Sequence, residues 1–118
     1  VYMASRTEAR ARAAIAELNS AHPEIATKGG RIEFLELDLT SLAGCQAAAR
    51  AFLEKETRLD ILINNAGIMA TPPKLTADGF DIQFQSNHLG HFAFTYPLLP
   101  ILIETSKVRI LPPQFTSL

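Results

Sequence analysis

The amino-acid sequence predicts an α/β fold in which helices cover both faces of a doubly wound parallel sheet. Apolar strand-like runs alternate with segments of helical periodicity, in the order β-α-β-α-β over residues 1–64. The run Ile61-Leu62-Ile63 is aliphatic without alternation, as expected for a strand buried on both faces. Asn64-Asn65-Ala66-Gly67 follows it at once. Because ligands lie beyond the carboxyl ends of strands in such sheets, this end of the strand is the predicted site.

The first half of the chain supplies two strands and one helix. Residues 1–4 form a short apolar strand, and the next helix is predicted to begin at Ser5, because Ser5 and Glu8 have the spacing of a capping box. One apolar face, with Ala11 and Leu18 on it, runs along this helix until His22-Pro23 ends it. After a glycine-containing turn, a second strand is predicted over residues 32–39.

The second half begins with a helix that Thr40 and Ser41 are placed to cap. Its inward face is predicted to contain five apolar residues, namely Leu42, Cys45, Ala49, Phe52 and Leu53. A strand over 60–64 and a loop over 68–77 follow. A long helix is predicted from about Gly79, with a kink or an early end near residue 96 because Pro97 removes a hydrogen bond. Residues 108–111 are then predicted to begin another strand.

Composition excludes several classes of function. The chain has 118 residues, a net charge of −1 and dispersed basic residues, so neither a nucleic-acid surface nor a polybasic membrane patch is predicted. No apolar run approaches the roughly 20 residues that span a membrane. The single Cys45 is predicted to be a buried structural thiol in a reducing compartment. A cytoplasmic location is therefore expected, and an anchor outside these residues would be compatible with it.

Three motifs in register resemble those of the short-chain dehydrogenase/reductase family. They are Asp38-Leu39, Asn64-Asn65-Ala66-Gly67 and Asn87-His88-Leu89-Gly90-His91-Phe92. The resemblance runs from Val1 to about Thr105 and is strongest to the branch of retinol-dehydrogenase-like and WW-domain oxidoreductase-like members. It implies a partial Rossmann-like domain over residues 1–111, with a divergent tail over 112–118. It also implies an oxidoreductase that acts on small alcohols or ketones.

Arg6 is the predicted determinant of cofactor choice. It directly follows the first strand, where an arginine accommodates the 2′-phosphate of NADP and an acidic residue would bind the free hydroxyl of NAD. NADP is therefore favoured over NAD, although a solvated arginine at a helix entry is the alternative. By resemblance, Asp38 contacts the adenine amino group, with the Leu39 backbone beside it. The alternative for Asp38 is a carboxylate that helps to cap the next helix.

The remaining site residues also follow from the resemblance. Asn64, Ala66 and Gly67 would line the ribose and pyrophosphate side of the cofactor. Asn87 would be a catalytic residue that interrupts its helix and holds a water molecule in a proton relay; its alternative is a helical surface asparagine. His88 and His91 lie three positions apart with no carboxylate or cysteine nearby, so they are predicted to pack on the helix face and not to bind metal.

Two family motifs are absent from these residues, namely the glycine-rich turn before the first helix and the catalytic Tyr-x-x-x-Lys. The chain opens inside a strand, and its last residues depart from the family pattern. We therefore expect a sheet that lacks the strand with which the family's sheet begins and also lacks the C-terminal part of that sheet. We also expect weak or lost cofactor binding and no turnover by this chain alone. A non-catalytic interaction module and a truncated gene product are the alternatives. The exposed strand edges are expected to promote self-association.

Overall fold

Two short parallel strands form the sheet in the computed structural model, which describes residues 1–108. Strand β1 spans Tyr2–Ser5 and strand β2 spans Glu33–Glu36, with Ala4 opposite Leu35. Both strands lie where the sequence predicts them, and the chain between them crosses over through a helix. The structure is thus a partial Rossmann-like α/β fold, as predicted.

Helices make up most of the remaining chain. Helix α1 spans Glu8–Ala21, α2 spans Glu24–Thr27 and α3 spans Leu42–Lys55. The last part of the described chain, the long helical segment, is a continuous run of five pieces: α4 (Ile82–Phe84), a π-helical turn (Gln85–Leu89), α5 (Gly90–Thr95), a 3₁₀ turn (Tyr96–Leu98) and α6 (Leu99–Val108). None of the helices in residues 1–108 is long and apolar enough to cross a membrane.

Helices lie on both faces of the sheet. Neighbouring side chains of a strand point to opposite faces of the sheet, so the side chains of Phe34 and Leu35 lie on opposite faces of β2. Leu35 is buried in a cluster with α3, and Tyr2 of β1 meets Phe52 of α3 edge to face, with ring centroids 5.2 Å apart. Phe34 borders a cavity whose other walls include Ile15 of α1. This arrangement is the predicted doubly wound layering.

The core lies between α3, β2 and the long helical segment. Its members are apolar residues that are nearly or fully buried, namely Leu35, Cys45, Ala48, Ala49, Phe52, Phe94 and Leu98. Burial raises the pKa of the Cys45 thiol from 9.0 to about 11, and the negative charge of Asp38 adds to the effect. The thiol therefore stays protonated at neutral pH, which agrees with the predicted structural role.

The N-terminus of α3 was predicted correctly, and that of α1 was not. Ser41 caps α3 as predicted, because its hydroxyl accepts from the Gly44 N–H at 3.0 Å. The predicted capping box at Ser5 is wrong: Ser5 ends β1, and the N-cap of α1 is Thr7, whose side chain makes no capping bond. Pairing with β2 through Glu36 holds Ser5 in the extended conformation. Leu53 was also wrongly placed inward and is 38% exposed.

The predicted strand over 60–64 does not form. Residues 59–69 have no regular secondary structure, and Ile61 and Ile63 are 67% and 77% exposed. A strand exists only as part of a ladder, and β1 pairs with β2 alone within the described residues. The run Ile61-Leu62-Ile63 has the composition of a strand, but no strand in the described residues pairs with it.

Pro97 does not end the long helical segment. The chain tightens into a 3₁₀ turn at Tyr96–Leu98 and then continues as α6, so the predicted change at residue 96 is a local tightening of the helix. The predicted strand cannot begin at Val108, which is the last residue of α6. Residues 109–111 of that strand and the tail over 112–118 lie outside the described residues.

Candidate functional site

The carboxyl end of the sheet brings Arg6 and Asp38 to one edge. The strands are parallel, Ser5 pairs with Glu36, and the Leu37 N–H donates to the Ser5 carbonyl at 3.1 Å. Arg6 and Asp38 come directly after this last rung. Arg6 is exposed and makes no hydrogen bond or ion pair with any described residue. Its guanidinium is therefore free to bind an anion that approaches this edge.

Asp38 fixes the turn that leads from β2 into α3. Its Oδ1 accepts from both the N–H and the hydroxyl of Thr40, at 2.9 and 2.7 Å. Its carbonyl accepts from the Ser41 N–H at 3.1 Å and from the Cys45 thiol at 3.3 Å. The structural role foreseen as the alternative thus exists. The second carboxylate oxygen has no hydrogen bond within residues 1–108, so an additional role is compatible with this geometry.

Gly90 joins this edge to the long helical segment. A Cβ built on Gly90 would lie 2.5 Å from the carbonyl oxygen of Leu39 and 3.0 Å from its Cα. Only glycine permits the helix to approach the backbone of Leu39 this closely. The Asp38-Leu39 turn and the helix that contains Asn87 are therefore packed backbone to backbone.

Asn87 lies in the middle of the π-helical turn Gln85–Leu89. Its Oδ1 accepts from the Ile68 N–H and its Nδ2 donates to the Ile68 carbonyl, both at 2.8 Å. One side-chain amide thus satisfies both backbone groups of a residue, as a neighbouring strand would. π-turns within helices are frequent at functional sites, and this one interrupts the helix at the residue for which the resemblance implies an interruption.

The Asn64–Gly67 segment is exposed and is held against the same helix. The Asn64 Nδ2 donates to the Thr95 hydroxyl at 2.9 Å, and the His91 Nε2 lies 2.7 Å from the Ala66 carbonyl oxygen. A carbonyl only accepts, so His91 must carry a proton on Nε2. A Cβ on Gly67 would lie 3.2 Å from the Asn87 Oδ1, so Gly67 leaves space for that amide.

The two histidines of the long helical segment differ in role. His88 is exposed and its ring lies 5.5 Å from that of Phe84, as expected for a packing residue. The prediction for His91 was incomplete, because this residue fixes a loop carbonyl. Residues 1–108 contain no cluster of three histidine, cysteine or acidic side chains that could hold a metal ion.

A buried polar group beside the site was missed from the sequence. Gln85 is fully buried, accepts a short hydrogen bond from the Thr76 hydroxyl and donates to Asp78 Oδ2 at 2.6 Å. The same carboxylate oxygen accepts from the Leu42 N–H at 2.9 Å. The loop before the long helical segment is thus tied to the N-terminus of α3. No pattern in the sequence distinguishes Gln85 from the other polar residues of this segment.

Tyr2 is remote from this edge and belongs to the opposite end of β1. Its hydroxyl donates to Glu56 Oε1 at 2.8 Å, and this hydrogen bond, together with burial, raises the pKa of Tyr2 to about 12. A phenol with so high a pKa is a poor proton donor or acceptor at neutral pH. Tyr2 therefore has a structural role.

The family model of short-chain dehydrogenases matches residues 1–112. The chain belongs to the short-chain dehydrogenase/reductase family. A curated relative, the short-chain dehydrogenase/reductase drtF of Aspergillus calidoustus, is 45% identical over 92% of this chain, which spans about 33% of that relative. The family assignment made from the three motifs is confirmed.

Solved structures of other proteins are similar to this fold. An uncharacterized protein from Mycobacterium paratuberculosis is 42% identical, with a TM-score of 0.69 over 86% of this chain and 32% of that one. The Pseudomonas aeruginosa RhlG/NADP complex is 30% identical, with a TM-score of 0.67 over 89% of this chain and 39% of that one. This member of the short-chain dehydrogenase/reductase family spans about a third of the length of the relatives it matches.

Proposed function

We propose that this chain forms the adenosine side of an NADP-binding site in an oxidoreductase of the short-chain dehydrogenase/reductase family. The observation that supports the proposal is an exposed, unpaired Arg6 at the carboxyl edge of the sheet, next to Asp38. An arginine at this point of a dinucleotide fold accommodates a 2′-phosphate. The RhlG structure was solved with NADP, which supports a nicotinamide dinucleotide for its relatives.

The residues present fit the adenosine end of such a cofactor. Arg6 would hold the 2′-phosphate, and the unbonded oxygen of Asp38 would accept from the adenine amino group, with Leu39 beside it. Asn64, Ala66 and Gly67 are exposed on the adjoining segment and would line the ribose and pyrophosphate. No glycine-rich turn precedes α1 in these 118 residues, so we propose weak binding.

When bound, the cofactor supplies hydride chemistry, and an alcohol or ketone is the proposed substrate. Asn87 is the proposed catalytic residue, and the π-helical turn around it is the proposed place for a water molecule of the proton relay. These 118 residues contain no Tyr-x-x-x-Lys, so we propose that they show no turnover on their own. A cytoplasmic location and the retinol-dehydrogenase-like branch remain predictions.

Replacing Arg6 by alanine is expected to weaken NADPH binding about tenfold or more, because a charge-assisted contact to the 2′-phosphate is lost. NADH lacks that phosphate, and its affinity should not change. The chain has no Trp, so the fluorescence of the reduced nucleotide itself reports binding. Dissociation constants above the micromolar range are expected throughout.

Arg10→Ala is the matched control for this experiment. Arg10 is an exposed arginine on α1 with no described partner, so its removal changes the net charge equally without touching the sheet edge. If Arg10→Ala weakened NADPH binding as much as Arg6→Ala, the effect would be one of general charge. Equal affinity of the unaltered chain for NADPH and NADH would contradict the proposed role of Arg6.

Self-association is the second candidate property, and the exposure of Ile61 and Ile63 favours it. Unpaired apolar segments and free strand edges are templates for pairing with another chain. We expect sedimentation velocity to show mass rising with protein concentration. The double variant Ile61→Asp, Ile63→Asp should remain monomeric. Leu75→Asp is the control, because Leu75 is also 67% exposed but lies outside this run, and this variant should still self-associate. An unaltered chain that stays monomeric at all concentrations would contradict the proposal.

A further inference from the structure

Four polar side chains of the long helical segment bind the preceding loop in a regular series. Gln83 Oε1 accepts from the Ala70 N–H at 3.1 Å, and Asn87 binds both backbone groups of Ile68. The two further members are the His91 contact to the Ala66 carbonyl and the Thr95 contact to the Asn64 side chain. The helical positions rise by four, and the loop positions fall by two.

The distance between successive contacts is similar along the helix and along the loop. Four residues of a helix advance by about 6 Å at 1.5 Å each. Two residues of a nearly extended chain advance by at most about 6.6 Å. The loop therefore runs antiparallel to the helix with one contact per step, and within residues 1–108 no backbone–backbone hydrogen bond holds residues 64–70. The helix side chains stand where a neighbouring strand would otherwise be.

We propose that Gln83, His91 and Thr95 are positioning residues that act as one unit with Asn87 to set the conformation of residues 64–70. The proposal rests on the proposed function, because these are the residues that would line the nucleotide. A positive φ of 55° at Ala70 supports it, since alanine adopts this backbone conformation only under constraint, and the Gln83 contact holds that residue.

His91 is the member that best tests the idea. It binds a carbonyl and leaves the Ile68 and Ala70 amides untouched, so any effect on those amides must pass through the series. Glutamine has an amide nitrogen at a similar reach and is the conservative replacement.

Amide hydrogen exchange of the full 118-residue chain measures the coupling directly. We expect His91→Leu to speed exchange at Ile68 and Ala70 about tenfold, and His91→Gln to restore most of the protection. Amides of α3 serve as the reference for global unfolding and should be unchanged. His88→Leu is the matched control, because His88 lies in the same helical segment, its ring faces Phe84, and it makes no side-chain hydrogen bond to residues 64–70.

Two results would overturn the proposal. Unchanged exchange at Ile68 and Ala70 in His91→Leu would show that the contacts are independent. Failure of His91→Gln to restore protection would show that the ring's shape, and not its donor, matters. Neither readout requires nucleotide, so the proposal is tested even if NADPH fails to bind. If NADPH does bind, its affinity should follow the exchange rates through the three variants.

Discussion

Replacing Gly90 by alanine is expected to destabilise the fold by about 3 kcal/mol or more, because overpacking against rigid backbone is costly. The added Cβ would meet the Leu39 carbonyl oxygen at 2.5 Å, and backbone atoms cannot rotate away as side chains can. The helix would have to move from the Asp38-Leu39 turn. Chemical denaturation followed by circular dichroism measures the loss.

Gly44→Ala is the control for this substitution. Gly44 is also helical, but its Cβ would meet only the Ser41 side chain closely, with Oγ at 3.1 Å and Cβ at 3.2 Å, and a shift of a few tenths of an ångström relieves both contacts. The gain in helix propensity, about 1 kcal/mol, offsets that contact. A small effect at Gly44 with a large one at Gly90 is expected. Similar stability of both variants would show that the close approach at Leu39 is not required.

Leu98→Ala is expected to cost about 3 kcal/mol, since large-to-small substitutions in a core remove apolar burial and leave a cavity. Leu98 is 1% exposed in the cluster with Cys45 and Phe52. It ends the 3₁₀ turn that follows Pro97, so the tightened turn delivers this side chain to α3.

The adjacent Leu99 provides a control with identical chemistry. Leu99 is 41% exposed, and Leu99→Ala should change the free energy of unfolding by less than about 1 kcal/mol. Both variants are measured by urea denaturation at one protein concentration. An equal loss at the two positions would mean that Leu98 does not contribute to the core as described.

Local patterns in the sequence were sufficient to predict much of the fold. β1, β2, α3 and the end of α1 were located from the sequence, because each depends on its own apolar periodicity and on nearby ends such as Ser41 and His22, whereas the start of α1 was predicted too early. The strand over 60–64 failed because a strand is defined by its neighbour, which composition does not reveal. The small helix α2 was missed, since four residues carry no periodic signal.

The contacts of the candidate site could not be predicted from the sequence. The roles of Arg6, Asp38 and Asn87 stay predictions, and the parallel sheet brings the first two of these residues to one edge. The role of His91 was missed, although its spacing of four from both Asn87 and Thr95 was visible. The role of Gln85 could not be predicted from the sequence, because its partners Thr76 and Asp78 reach it only through the fold of the preceding loop.

The helical series has a consequence for how the Asn64–Gly67 motif can be moved between proteins. The hydrogen bonds that hold this segment are made with side chains later in the chain, in residues 83–95, and not among the four residues themselves. A designer who grafts only the motif onto another sheet would transfer its chemistry without its shape. The intervening loop would have to be transferred as well, because its Thr76 and Asp78 bind the buried Gln85 of the same helical segment.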